Sequence, residues 1–255
     1  MSYQFIDVER TGAVVNVWMN RPECLNALND KILDEIGDVF HALQSDLEVR
    51  VVVLGGRGRA FSSGADRREG PSRFRDAKSG RAKRYASQIG RRAMQAITDL
   101  EAITIARVQG HAIGGGFCLA LACDFRIASR ETQFHIPEVD LGVPLNWGAT
   151  PRLIYEVGPL KAKEWIVMCN KISTQEALEA GAINCVVSEE DLDEEIERWV
   201  KRIGEKSELA LHMVKTQFRG YSRVAFLGDS SETDGDMGGI ASHSEEFRKA
   251  FGSES

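Results

Sequence analysis

The sequence lacks several features, and each absence excludes a class of protein. No apolar run approaches the roughly 18–20 residues a helix needs to span a bilayer, so no membrane partner is expected. The cysteines are few: Cys24, Cys118, Cys123, Cys169 and Cys185. They are odd in number, widely spaced and without a C-x-x-C pair, which fits reduced thiols better than a disulfide or zinc framework. No spacing of histidines and carboxylates suggests a metal site. A net charge of −6 and a pI near 5.5 argue against a general nucleic-acid binder. The opening residues MSYQFIDVER have neither the charged nor the apolar region of a signal peptide. A cytoplasmic protein is the expectation.

Familiar nucleotide and nucleophile motifs are also missing. Gly110 and Gly114–Gly116 do not have the G-x-G-x-x-G spacing of a dinucleotide fold, and no Walker lysine follows a glycine loop. Ser62 and Ser63 are not set in G-x-S-x-G.

What is present is 255 residues, 43% of them apolar, enough for one large core or a core with an appendage. The chain is organised around Ile103 to Pro144. A β-branched run (Ile103, Ile105, Val108) breaks at Gly110; Gly114, Gly115 and Gly116 then lead into the apolar helix pattern of Phe117, Leu119 and Leu121. Three glycines before a buried helix leave backbone N–H groups open to approach, and the helix dipole favours negative charge there. Downstream, Glu138 follows Pro137 in an apolar context that can raise a carboxyl pKa into a useful range. An oxyanion cradle and one acid/base group are the core of the reading.

The remaining segments frame this stretch. Phe5 to Val8 and Val14 to Trp18 alternate as two strands about a Thr11-Gly12 turn. Leu28, Ile32, Ile36, Val39, Phe40 and Leu43 follow the 3.6-residue period of a helix. Val51 to Leu54 reads as a buried strand, and Ala60 to Asp66 as a loop of small residues. The alternation of strands and helices predicts a mixed α/β domain. Between Arg67 and Arg92 the charge turns basic, a solvated face in most of its length, with Arg68 the best placed to meet ligand phosphates. Ser173-Thr-Gln-Glu176 is a capping box, and Leu192, Ile196, Trp199, Val200 and Ile203 recur at helical spacing. Leu209, Leu211 and Val214 do so less regularly. An acidic, glycine-rich loop is expected over Gly228–Ser244, with a last short helix at Glu245–Phe251.

Asn26-Ala27-Leu28-Asn29, the Ala60–Asp66 loop, the Gly114–Gly116 turn, Ala122-Cys123-Asp124 and Phe134–Gly142 occur in the order and spacing of one family. So do Pro151-Arg152-Leu153, Ile172 to Ala177, and Ala180-Gly181 with Val186-Val187. The chain resembles the enoyl-CoA hydratase/isomerase (crotonase) family over essentially its whole length to about Val187, and more loosely beyond. The resemblance implies a crotonase-like (ClpP/crotonase) spiral of β-β-α units. An acyl-CoA-binding core would span 1–195, and a helical trimerisation region 196–255, giving a homotrimer or a dimer of trimers. It implies an acyl-CoA thioester substrate and no cofactor beyond the coenzyme A that the substrate carries. Ser63 and Gly115 would supply the two oxyanion-hole N–H groups. Ala27, Ala65, Asp66, Arg68, Cys118 and Asn146 would lie around substrate and CoA.

Hydratases of the family carry two glutamates, and this chain departs from them. It keeps Glu138 at the second position and has Cys118 at the first. A lone carboxylate favours proton transfer that shifts a double bond between the 3- and 2-positions. The alternatives are a hydratase of fatty-acid β-oxidation, a non-catalytic acyl-CoA-binding protein, or decarboxylation of a malonyl-type CoA. Asn146 stands where dienoyl-CoA isomerases and chlorobenzoyl-CoA dehalogenases of the family carry an aspartate, which disfavours both chemistries. Each residue also has a plainer reading. Cys118 is a small buried hydrophobe or, as the lesser reading, a thiolate at a helix N-terminus. Asp66 orders its loop, Asp140 is structural, and His111 and His135 satisfy local backbone. Trp147 either lines the acyl pocket or packs.

Overall fold

The computed structural model of the chain describes residues 3–225 and, beyond them, 237, 239, 244, 245, 248 and 249. Its strands are β1 (Ile6–Thr11), β2 (Val14–Met19), β3 (Val51–Gly56), β4 (Ile103–Val108), β5 (His111–Ile113), β6 (Phe125–Ser129), β7 (Gln133–His135), β8 (Lys171–Ser173) and β9 (Cys185–Val187). Its helices are α1 (Asp30–Gln44), α2 (Ser72–Asp76), α3 (Gly80–Ser87), α4 (Ile89–Asp99), α5 (Gly115–Ala122), α6 (Ala149–Met168), α7 (Thr174–Glu179), α8 (Leu192–Gly204) and α9 (Glu208–Ala225). Within α6 the backbone leaves helical geometry at Gly158, before Pro159, so two helical segments meet there.

The strands form two sheets. The larger has the order β1-β2-β3-β4-β6-β9 and is parallel after the β1–β2 hairpin; the smaller is β5-β7-β8. Successive passes of the chain place one strand in each sheet and then a helix. β4, β5 and α5 make one such turn, and β6, β7 and α6 the next. The earlier turns are reduced on the small-sheet side to single bridges, Leu28 to Ala65 and Ser62 to Ala112. This is the expected spiral of β-β-α units, and it stacks the loop at 60–66 directly on the Gly114–Gly116 turn.

Local chemistry explains the elements. The Asn29 side chain accepts from the Ile32 N–H at 3.0 Å and caps α1, whose Ile32, Leu33, Ile36, Val39 and Phe40 are buried. The Ser173 hydroxyl accepts from the Glu176 N–H, the first half of the expected capping box, while the Glu176 carboxylate accepts from Trp165 Nε1 at 2.7 Å. β3 is an unbroken apolar run because both its faces are covered. Val52 and Leu54 enter the main core; Val51 and Val53 join Ile103, Ile105 and Ile127 against Leu192, Ile196 and Ile203 of α8. α8 therefore packs on the sheet as one continuous helix, and the expected division at 195/196 falls inside it. α9 is held to the same body by Lys215, whose buried ammonium donates to the Ala102 carbonyl and pairs with Asp124, each at 2.7 Å. The expected loop at Gly228–Ser244 and last helix at Glu245–Phe251 lie almost wholly outside the described residues. Among the described residues no helix is long and apolar enough to cross a membrane.

Candidate active site

Each glycine of the Gly114–Gly116 turn has its own reason. A Cβ at Gly114 would come within 2.6 Å of Glu138 Oε1. One at Gly115 would meet the Trp147 indole at 2.5 Å, and one at Gly116 the Ser62 backbone oxygen at 2.7 Å. Gly114 also takes φ +50, where L-residues are strained. Its N–H donates to the His135 carbonyl at 2.8 Å, tying the turn to β7 and so to the segment that carries Glu138. α5 follows with all eight residues buried, so its N-terminus is rigidly backed.

Glu138 is half-buried and begins a short 3-10 turn, Val139–Leu141. Its Oε2 is inaccessible to water and has no hydrogen-bond partner among the described residues. Burial pushes its pKa up to about 7, against a small opposing effect of its own backbone N–H. A carboxyl so placed exchanges a proton near neutrality.

The oxyanion donors differ from expectation at one position. The Ser63 N–H donates to the Leu25 carbonyl at 2.9 Å and its hydroxyl to the Cys24 carbonyl at 3.2 Å, so Ser63 has no open amide. Two residues on, Ala65 is exposed in an otherwise buried loop, and its N–H has no acceptor among the described residues. The Leu28 bridge uses the groups on either side of it: the Gly64 carbonyl accepts from Leu28 N–H at 2.8 Å, and the Asp66 N–H donates to the Leu28 carbonyl at 3.0 Å. Gly64, at φ +86, packs so tightly on the Gly114 turn that its Cβ would meet the Ile113 carbonyl at 2.6 Å and lie 3.8 Å from Gly115 N. The open pair beside Glu138 is thus Ala65 and Gly115. Ser63 is corrected from donor to loop anchor. The open amide has no signature in the side chains.

Asp66 is likewise an organiser and does not face a ligand. It is buried, pairs with Arg21 at 2.8 Å, and accepts from the Arg68 and Glu69 N–H groups. Burial pushes its pKa up, but the Glu69 amide, the Arg21 guanidinium and the Arg68 amide outweigh it and the net shift is downward. Arg21, which the sequence reading did not single out, also donates to the Ala27 carbonyl at 2.7 Å and bonds Glu69 at 3.0 Å. Ala27 is buried beneath it, its N–H spent on Cys24. Arg68 is exposed with no ion pair among the described residues. Cys118 is buried in the main apolar core, one turn into α5. Asn146 is half-buried beside Trp147, and its carbonyl accepts from Ala149. The His135 ring bonds the Cys169 carbonyl, and Asp140 is exposed. Among the described residues no group of three or more His, Cys, Asp or Glu side chains is arranged to hold a metal ion.

Two open amides suit an oxygen that takes on negative charge, and a desolvated carboxyl on the same β-β-α spiral can exchange a proton near neutrality. A family model described as enoyl-CoA hydratase/isomerase matches residues 9–253. A crotonyl-CoA hydratase of Syntrophomonas wolfei is 36% identical over 216 residues, 84% of this chain and 81% of that protein. A short-chain-enoyl-CoA hydratase of Clostridium acetobutylicum is 34% identical over the same shares. Among solved structures, an enoyl-CoA hydratase of Mycobacterium avium subsp. paratuberculosis superimposes with a TM-score of 0.87 at 26% identity, covering 98% of this chain and 95% of that one. One from Geobacillus kaustophilus gives 0.78 at 34% identity, covering 98% and 89%. The chain belongs to the enoyl-CoA hydratase/isomerase family.

Proposed function

We propose that the protein is an enoyl-CoA isomerase that moves a double bond between the 3- and 2-positions of an acyl-CoA thioester. The observation that carries this reading is the single desolvated carboxyl of Glu138 against the glycine turn, with a buried Cys118 where a second carboxylate would be needed to hold water. The thioester oxygen accepts from the Ala65 and Gly115 N–H groups, so that charge developing there is stabilised as the α-proton leaves. Ionised Glu138 takes that proton from the α-carbon. The same carboxylic acid returns it to the γ-carbon, and the double bond moves into conjugation. The proton is conserved, so the reaction needs no cofactor beyond the coenzyme A of the substrate. Exposed Arg68, beside the Asp66 loop, is the cation for its phosphates. The tail helices assemble trimers, or pairs of trimers, in this reading.

Hydration is the second reading, favoured by the names of the relatives. It requires the wild type to hold water with one glutamate. The test is steady-state turnover of paired 3-enoyl- and 2-enoyl-CoA substrates, with Glu138→Gln beside wild type. Isomerisation falling by ~10²-fold or more in the variant supports the proposal. Robust hydration by the wild type moves the assignment to a hydratase. CoA thioesters that bind without either reaction leave a decarboxylase or a binding protein.

A further inference from the structure

The indole of Trp147 is clamped between two glycines from different helices. A Cβ built on Gly90 in α4 would come within 2.0 Å of Cε2, and one built on Gly115 within 2.5 Å of Cζ3 and 2.6 Å of Cη2. The ring therefore lies directly on both backbones. Gly90 is the second residue of α4, and the indole is what denies it a side chain. The backbone at Trp147 itself is at φ +65, a conformation that costs a bulky L-residue on the order of 1–3 kcal/mol. Two glycines and one strained residue thus hold a single ring against the turn whose amide receives the thioester oxygen.

Behind the ring lies a cavity of ≈ 1060 Å³ between α4–α6 and α8–α9, lined in part by Trp147, Leu121, Arg152, Trp199 and Phe218. Gly115 and Glu138 do not line it. The indole is the wall shared by that cavity and the catalytic turn. An acyl group bonded through its carbonyl to Gly115, with its α- and γ-carbons at Glu138 over Gly114, runs beside this wall.

Resting on the acyl-CoA reading above, we propose that Trp147 is the specificity-determining residue that ends the acyl pocket and confines the substrate to short acyl groups. The wall acts by volume. Removing it joins the acyl pocket to the cavity behind and admits chains the wild type excludes.

The test is kcat/KM for butenoyl-, hexenoyl-, octenoyl- and decenoyl-CoA with wild type, Trp147→Phe and Trp147→Ala, each checked for native circular dichroism. The decenoyl-to-butenoyl ratio should rise by ~10-fold or more in Trp147→Ala and by less in Trp147→Phe, since each excluded methylene is worth roughly 10-fold or more in such pockets. A ratio unchanged within about 2-fold in a folded Trp147→Ala protein overturns the proposal. Should Trp147→Ala not fold, Trp147→Phe carries the test alone, with an unchanged ratio again decisive. The chemistry is tested separately by competition binding of saturated butyryl- to decanoyl-CoA. If wild type turns over nothing but the affinity ratio shifts as above, the isomerase reading fails and the Trp147 assignment stands. If no thioester binds the wild type, both fall.

Discussion

Glu138 Oε1 occupies the space that a side chain on Gly114 would need: a Cβ there would lie 2.6 Å from it. The carboxyl therefore rests against the backbone of the turn that presents the open Gly115 amide, and the proposed reaction draws its base and one oxyanion donor from the same place. Gly114→Ala should lower kcat by ~10²-fold with little change in KM, because misplacing a reacting group by about 1 Å costs that much. It should also destabilise the fold by more than about 1 kcal/mol, since Gly114 sits at φ +50. Steady-state kinetics and urea unfolding of the variant check both.

The titration of Glu138 gives two pH signatures. As a base it must be ionised, so kcat/KM for isomerisation should rise with pH and level off above about 7. Stability runs the other way. The folded carboxyl keeps its proton up to about 7 and the unfolded one only to 4.5. Between those values the native state binds more protons, so stability falls as pH rises. Glu138→Gln removes that term. The variant should match wild type in stability at about pH 4 and exceed it at about pH 8 by up to about 3 kcal/mol, measured by denaturant unfolding across pH.

The donor assignment separates two neighbouring residues. Ser63→Ala keeps its backbone N–H and loses only the part-buried hydroxyl bond to the Cys24 carbonyl, so turnover should stay within about 10-fold of wild type, the scale of one net hydrogen bond. Ala65→Pro deletes an open N–H and should cut kcat by ~10²–10³-fold. Turnover of Ala65→Pro within about 3-fold of wild type would overturn the Ala65 assignment.

The Lys215–Asp124 pair predicts how α9 is held. Burial pulls the Lys215 pKa down, and Asp124 opposes it. Removing the carboxylate leaves a buried ammonium with one carbonyl partner, so Asp124→Ala should cost about 3–5 kcal/mol. Lys215→Met, which removes the charge and keeps the apolar stem, should cost less. Thermal or denaturant unfolding of both variants ranks them.

Much of the scaffold was legible because it depends on local periodicity and composition. The stripe from Ile32 to Phe40, the Ser173 cap, the run Val51–Leu54 and the strand–glycine–helix order around Gly114 all form where they were expected. Glu138 was singled out by its position in the family resemblance, and the structure places it, desolvated, against Gly114. The basic stretch from Arg67 to Arg92 was legible as composition, but its division into α2, α3 and the start of α4 was not. The expected 195/196 division falls inside α8, one helix whose apolar face is completed by the much earlier strands β3, β4 and β6.

By itself, then, the sequence determined the class of fold and the glycine turn, since these follow from residue type and short-range spacing. Only the tertiary structure decided which N–H in the Ser63–Ala65 loop stays open. Every residue there carries the same donor, and the acceptor that occupies Ser63, the Leu25 carbonyl, arrives from another turn of the spiral. It also decided that Gly90 and Gly115, 25 positions apart in the chain, are paired by one indole. Packing between helices is a matter of volume in three dimensions, and no local pattern of residues records it.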